Sequence, residues 1–326
     1  MVNHKVAVYY TWDRTDEIEA PLGIIDNRFP SLFETRRILF PHYEELADPD
    51  RFDQGIAGFM DQILKRNFVE FVETATEVTG TGVEQVERGD GSGTIRRLSD
   101  LPLDDVDTLI VISFDSIRSG QHAGADEIAA ARSFLDKPGN LMFVCPHHDI
   151  GDVDDASPAD RTEVQTEHFL HHGDRTIPPQ QRFGGFARTL LAGLGTPIEN
   201  RFGLHPAALP DGSPAPIVAE HQLDRLGLLS RVETFNLHPH LPHMERFGEA
   251  IDKMSVLARQ PIDPNAPSHP FTRDGRFTLD ALLQSKRGVF KGDLLVGDAT
   301  LWSSTAGGLE SLRRLWTNVV SRGRHS

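Results

Sequence analysis

The stretch that decides the fold spans residues 108–145 and reads TLIVISFDSIRSGQHAGADEIAAARSFLDKPGNLMFVC. It begins with a continuous apolar run, which is typical of a strand buried on both faces. Residues 123–136 then carry apolar side chains at helical spacing, and Pro138-Gly139 ends that helix. Residues 140–145 are a second apolar run. Strand, helix and strand in this order predict a βαβ unit of a parallel sheet.

The flanking sequence extends this alternation of strands and helices. The other predicted strands are 4–10, 68–74, 231–237, 254–259 and 294–297, and the other predicted helices are 31–46, 56–64, 183–194 and 309–320. Residues 11–30, 79–93, 203–217 and 260–275 are predicted loops. We therefore expect a single elaborated α/β domain over residues 1–326, with a flavodoxin-like, mostly parallel sheet flanked by helices and with N-terminal and loop insertions. The polar stretch 149–181 is predicted to be an insertion or lid, and the role of residues 11–100 is left open.

Composition narrows the class of protein. The 326 residues carry a formal net charge of −15, and an acidic surface repels phosphate backbones, so we expect no nucleic-acid partner. No apolar run is long enough for a membrane span, and the N-terminus does not resemble a signal peptide. The one cysteine, Cys145, excludes an internal disulfide and fits a reducing compartment. The expectation is a cytoplasmic protein with a small-molecule substrate, and a homo-oligomer is left open.

Three predicted strands end in polar clusters. These clusters are Asp115-Ser116, the CPHHD stretch 145–149, and Asp298 followed by residues 302–305. Ligands of open α/β sheets bind outside the carboxyl ends of the strands, so we expect the three clusters to meet. The candidate catalytic residues are Asp115, Cys145, His147 and His148, and the candidate ligand-binding residues are Asp298, Trp302, Ser303 and Ser304. The alternative is that the Asp and Ser side chains cap the helices that follow them.

Histidines form two further clusters. Residues 236–243 read NLHPHLPH, and in an extended segment His238 and His240 point the same way. We predict that His238 is a catalytic base, or that His238, His240 and His243 bind a divalent metal such as zinc. We also expect at least one of these three histidines to lie close to His147 or His148. In residues 167–172 (EHFLHH), two histidines would share a helix face, with a solvated loop as the alternative.

The strand TLIVISFD, the helix ADEIAAARSFLDK, the Pro-Gly break and the strand NLMFVC together resemble the core of the class I glutamine amidotransferase-like superfamily. The late stretch DLLVGDATLWSS is similar to the end of its trehalose-utilisation-type members. The resemblance implies a nucleophile at Cys145 with a histidine three residues later, His148, and a catalytic base at His238. The chain departs from that pattern, because Phe143 and His147 stand where the superfamily has glycines and His240 stands where it has a glutamate.

The sequence thus favours a small-molecule hydrolase that acts on an amide-like or related C–N bond with a Cys/His site. A metal-dependent hydrolase with a histidine-rich site and a non-catalytic small-ligand-binding protein are the alternatives. For Cys145 we expect a place at the carboxyl end of a central strand, facing a pocket. Its role as nucleophile, as metal ligand or as an inert core thiol stays open.

Overall fold

The structure is a computed structural model that describes residues 4–12, 65–89, 94–115, 120–150, 181–266, 270–273 and 275–322. The predicted loop 11–30 lies largely outside these residues, as do the predicted helices 31–46 and 56–64. The same is true of Ser116 and of the histidines at 168, 171 and 172.

The described chain contains fourteen strands and six α-helices. The strands are β1 (Val6–Trp12), β2 (Glu84–Glu87), β3 (Thr108–Phe114), β4 (Leu141–Pro146), β5 (His148–Ile150), β6 (Gln181–Phe183), β7 (Ile198–Glu199), β8 (Gly203–Leu204), β9 (Val218–Ala219), β10 (Leu241–Pro242), β11 (Glu245–Arg246), β12 (Met254–Pro261), β13 (Thr278–Ser285) and β14 (Asp293–Gly297). The α-helices are α1 (Val69–Thr79), α2 (Ala125–Leu135), α3 (Gly185–Gly193), α4 (Ala250–Lys253), α5 (Pro270–Arg273) and α6 (Leu309–Ser321).

One eight-stranded sheet organises these elements, in the order β2-β1-β3-β4-β14-β13-β12-β9. The first five strands are parallel to one another, and β13, β12 and β9 extend the sheet by antiparallel pairing. Numbered along the chain, the parallel part has the order 2-1-3-4-5 of a flavodoxin-like fold. The mostly parallel α/β architecture expected from the sequence is therefore confirmed. The prediction that residues 108–114, 140–145 and 294–297 are neighbouring parallel strands is confirmed as well.

Alternate residues of the central strands pack into two separate hydrophobic clusters, one on each face of the sheet. Ile110 and Phe143 belong to the cluster that includes side chains of α1 and α6. Val111 and Val144 belong to the cluster that includes side chains of α2 and α3. The strands are thus buried on both faces, which explains why their sequences are continuous apolar runs.

Three local expectations were wrong. Residues 68–74 are helical, because Phe68, Phe71, Ala75 and Thr79 are buried at helical spacing. Residues 84–87, within the predicted loop 79–93, form the edge strand β2, which pairs with β1. Residues 231–237 form no strand, and the backbone N–H groups of Glu233 and Thr234 donate instead to the Ser311 hydroxyl in α6.

The chain leaves the sheet after β4 as a short antiparallel hairpin. His148 pairs with Phe183, and Ile150 pairs with Gln181, so β5 and β6 lie side by side. Residues 151–180, which make up most of the predicted insertion or lid, lie outside the described residues. In the described part of the chain, no helix has the length and apolar character needed to cross a membrane.

Candidate functional site

His147 lies directly after β4, at the carboxyl edge of the sheet. Its backbone N–H donates to the carbonyl of Ser113 at 2.9 Å, which continues the pairing with β3. Its ring lies against that of Phe114, with 4.3 Å between the centroids. Nδ1 of His147 is 3.2 Å from Oδ2 of Asp298, the residue that follows β14. Adjacent parallel strands therefore bring an imidazole and a carboxylate together from distant parts of the sequence.

Asp298 is held as an anion by what surrounds it. Oδ1 accepts the backbone N–H of Thr300 at 2.9 Å and also the Thr300 hydroxyl, so Asp298 caps the short helix Ala299–Trp302. Burial alone raises the pKa of this carboxyl, but the His147 and His238 imidazoles and the hydrogen bonds bring it below its ordinary value. The Asp298 carboxylate is therefore a hydrogen-bond acceptor at neutral pH.

His238 lies beside His147, with 5.2 Å between the two ring centroids. Its backbone N–H donates to Oδ1 of Asn236 at 3.0 Å, which fixes the chain where it approaches the sheet edge. The expectation that a histidine of the 238–243 cluster lies close to His147 is confirmed. Two imidazoles and one carboxylate thus form a compact polar group at the ends of β4 and β14.

A buried polar network behind this group was missed by sequence reasoning. Nδ2 of Asn236 donates to the Thr300 hydroxyl at 3.0 Å, and Nε2 of Gln260 donates to the Asn236 carbonyl at 2.6 Å. All three side chains are buried. The only signal in the sequence was the position of Asn236 two residues before His238, and that position alone does not reveal its partners.

Asp115 has a structural place that differs from the expected catalytic one. Its Oδ2 accepts the backbone N–H of Phe186 at 2.9 Å, and its Oδ1 accepts the hydroxyls of Thr11 and Ser113. A side chain at Gly184 would clash with the backbone carbonyl of Asp115, so the start of α3 packs tightly on this aspartate. Asp115 therefore caps α3, a helix distant in sequence. The capping alternative concerned the helix that directly follows each aspartate, whereas here the capped helix is brought in by the tertiary fold.

The expectation that Cys145 faces a pocket is wrong. The residue does stand at the carboxyl end of β4, but it is 0% exposed and packs within the core. Burial raises the pKa of the thiol well above its ordinary value, although a hydrogen bond from Trp302 acts in the opposite direction. The thiol is therefore neutral at physiological pH, and the reactive thiolate is disfavoured.

Trp302, Ser303 and Ser304 contact other residues of the protein rather than the histidine pair. The Trp302 indole is fully buried, packs against Phe71 and Phe143, and donates from Nε1 to Sγ of Cys145 at 3.0 Å. The Ser303 hydroxyl is 2.9 Å from that of Thr305, and the backbone N–H of Ser304 donates to the carbonyl of residue 67 at 2.9 Å. Of the four predicted ligand-binding residues, Asp298 is the one whose side chain contacts the histidine pair.

The three histidines of the predicted metal site point to different partners. His238 lies against His147, His240 lies against His205 at 5.3 Å, and His243 lies against Phe271 at 4.9 Å. The assumption of an extended segment fails because residues 239 and 240 form a turn, in which His240 has a φ of 74°. Among the described residues, no group of three or more His, Cys, Asp or Glu side chains is placed to hold a metal ion. Zinc binding stays a prediction without a site in this part of the chain.

His243 is further shielded from the site by its own contacts. Its Nδ1 accepts the backbone N–H of Asp280 at 3.0 Å, and burial lowers its pKa below the ordinary value. Within the CPHHD stretch, the backbone of His148 belongs to β5, and the side chains of His148 and Asp149 lie outside the described residues.

No protein-family model matches this chain, and no curated protein matches it at a significant level of similarity. His147, His238 and Asp298 together form what we call the histidine pair site.

Proposed function

We propose that this chain is a hydrolase that acts on an amide-like or related C–N bond of a small molecule, using the histidine pair site. The observation that carries the proposal is the 3.2 Å contact between Nδ1 of His147 and Oδ2 of Asp298. A carboxylate that orients an imidazole at the carboxyl edge of a parallel sheet is an arrangement suited to general acid–base catalysis.

The Asp298 contact sets the tautomer of His147. An ionised carboxylate only accepts hydrogen bonds, so the proton of neutral His147 resides on Nδ1 and the lone pair on Nε2. In the proposed reaction, Nε2 removes a proton from a water molecule, and the resulting hydroxide oxygen bonds to the carbonyl-type carbon. The C–N bond then breaks, and the leaving nitrogen takes a proton from the adjacent His238 imidazole in its protonated form. His147 afterwards releases its extra proton to solvent and His238 takes one up from solvent, which restores both side chains. The net change is the addition of one water molecule across the bond.

Water is the nucleophile in this proposal because Cys145 is poorly suited to that role. Its thiol is buried, hydrogen-bonded to Trp302 and held in the neutral form. The 2-1-3-4-5 strand order supports a further part of the proposal, namely that the chain is a divergent member of the class I glutamine amidotransferase-like superfamily. Such a member would have moved its chemistry from the cysteine to the histidines.

The test is hydrolysis of a panel of small primary amides, ureas and cyclic amides. Product formation is monitored as ammonia or as a newly formed amine group. We expect His147→Gln to lower kcat about 10²- to 10⁴-fold, the usual contribution of a positioned acid or base. Asp298→Asn should have an effect of the same order, because the tautomer is no longer fixed. The matched control is His205→Gln, which alters the other imidazole pair and should leave the rate unchanged.

Cys145→Ser separates the water mechanism from the cysteine mechanism. Activity close to that of the wild type is expected for Cys145→Ser, whereas a thiol nucleophile would lose nearly all turnover. Full activity in His147→Gln would overturn the proposal. Metal analysis of the active protein completes the test, since stoichiometric zinc that is needed for turnover would favour the metal-dependent alternative.

The burial of Cys145 and the raised pKa of its thiol also favour a second candidate, a small-ligand-binding protein without turnover. In this case the same panel would raise the melting temperature of the protein and release no product. The shift should be smaller in His147→Gln, because the ligand would lose a polar contact.

A further inference from the structure

Asn236 occupies the centre of a hydrogen-bonded chain that joins the two histidine-bearing segments. Its Oδ1 accepts the backbone N–H of His238 at 3.0 Å, and its Nδ2 donates to the Thr300 hydroxyl at 3.0 Å. That hydroxyl in turn donates to Oδ1 of Asp298, whose Oδ2 contacts His147. A single side chain therefore connects the backbone of one histidine to the carboxylate that orients the other.

Each group in this hydrogen-bonded series, from the His238 N–H to the Asp298 carboxylate, has a donor facing an acceptor. An ionised Asp298 only accepts, so the Thr300 hydroxyl donates to it and accepts from Asn236. The Asn236 amide then has its nitrogen towards Thr300 and its oxygen towards the N–H of His238, and the reverse orientation would set donor against donor. The network is satisfied in one arrangement only, which makes it a rigid support.

The anchorage of Asn236 is independent of the site. Gln260, which is buried in β12, donates from Nε2 to the backbone carbonyl of Asn236 at 2.6 Å. The side chain of Asn236 is 0% exposed, so no solvent competes for its hydrogen bonds. The position of His238 is thus tied both to the sheet through Gln260 and to the end of β14 through Thr300.

We infer that Asn236 is a positioning residue that fixes the spacing of the His147 and His238 imidazoles and, through Thr300, the orientation of Asp298. The inference rests on the proposed function, since the spacing matters for catalysis only if both imidazoles take part. Displacements of about 1 Å in such groups can lower a rate on the order of 100-fold.

The experiment compares Asn236→Ala with Asn140→Ala in the full chain. Asn140 is a matched control because it is a buried asparagine whose amide donates to the Phe134 carbonyl at 3.0 Å, at the opposite end of β4. The first readout is the imidazole ¹⁵N spectrum of the substrate-free protein, which reports the tautomer and mobility of each histidine. The second is the separate measurement of kcat and KM on an amide from the panel that the wild type hydrolyses.

In Asn236→Ala we expect the His147 and His238 resonances to move and broaden, and kcat to fall about 10- to 100-fold with KM little changed. In Asn140→Ala both resonances and kcat should stay as in the wild type. Unchanged imidazole resonances in Asn236→Ala would overturn the inference, whether or not the protein is active. Full activity in His147→Gln would instead overturn the proposed function and leave the spectroscopic result standing.

Thr300→Val provides a second route if Asn236→Ala does not fold. The variant removes the hydroxyl that links Asn236 to Asp298 while keeping the shape of the side chain. We expect the pKa of Asp298, followed by its carboxyl ¹³C shift, to rise, and Thr300→Ser to restore it. An Asp298 titration identical to that of the wild type in Thr300→Val would contradict the proposed link.

Discussion

Asp115 and Asp298 follow β3 and β14, the two strands that flank β4, and both carboxyls are buried at the same edge of the sheet. The partners of Asp115 are neutral donors, and burial raises its pKa despite the hydrogen bonds from Phe186, Ser113 and Thr11. Burial acts on Asp298 in the same direction, but two imidazoles bring its pKa below the ordinary value. Both aspartates cap a helix, so the comparison shows that the partners, rather than the position in the fold, determine whether the pKa of a buried strand-end aspartate is raised or lowered.

The largest expected effect on stability concerns Asp115→Ala. The substitution leaves the Thr11 and Ser113 hydroxyls and the Phe186 N–H buried without their acceptor. We expect the free energy of unfolding to fall by about 4 kcal/mol, since each such buried group costs about 1–3 kcal/mol. Urea unfolding measures the change. Asp115→Asn, which keeps one side-chain acceptor, should lose less, and a loss below about 1 kcal/mol in Asp115→Ala would show that the aspartate is not a cap.

A smaller and pH-dependent effect is expected for Asp298→Asn. The folded state lowers the pKa of Asp298, so its charge stabilises the fold above the unfolded pKa of about 3.9. The variant should be less stable by about 2 kcal/mol at pH 7, the contribution of hydrogen bonds to a charged group. The difference from the wild type should decrease as the pH falls from about 4 through the lowered pKa of the folded state, because the carboxyl takes up its proton first in the unfolded protein and only at lower pH in the folded one. Denaturant unfolding at several pH values measures this, and a difference that grows towards acid would contradict the assignment.

The smallest effect is expected for Cys145→Ala, which removes a buried sulfur that contacts Trp302. We expect a loss of about 1–2 kcal/mol, with a small cavity as the cause. The native thiol should react with an aromatic disulfide reagent only as fast as the protein unfolds. Rapid labelling in native buffer would show an accessible thiolate and would return Cys145 to the list of candidate nucleophiles.

The central strands could be predicted because their sequences reflect a single environment. Residues 108–114 and 140–145 are apolar at nearly every position since both faces are covered, and no helical spacing competes with that interpretation. Residues 68–74 (FVEFVET) fit both an alternating and a helical pattern, and Val69 is 43% exposed, so the apolar residues do not mark one face. Local pattern was ambiguous there, and tertiary packing decided.

The candidate site was predictable only at the level of which segments meet. The proximity of His147 and His238 was expected from strand ends at one edge, although the strand assumed at 231–237 does not exist. The Asn236–Thr300 hydrogen bond joins residues 64 positions apart and depends on the paths of two irregular segments. Residue types near a strand end do not encode such paths, and so the support of the site became visible only in three dimensions.

The β5–β6 hairpin has a consequence for how this protein can vary. Since Ile150 and Gln181 are paired, the chain between them begins and ends at neighbouring points, and its closure is already achieved by the strands. The entropy of closing a loop grows only with the logarithm of its length, by about 0.6 kcal/mol for each doubling. Because the hairpin already holds Ile150 and Gln181 together, the number of residues between these two points has little influence on the entropy of closing this part of the chain.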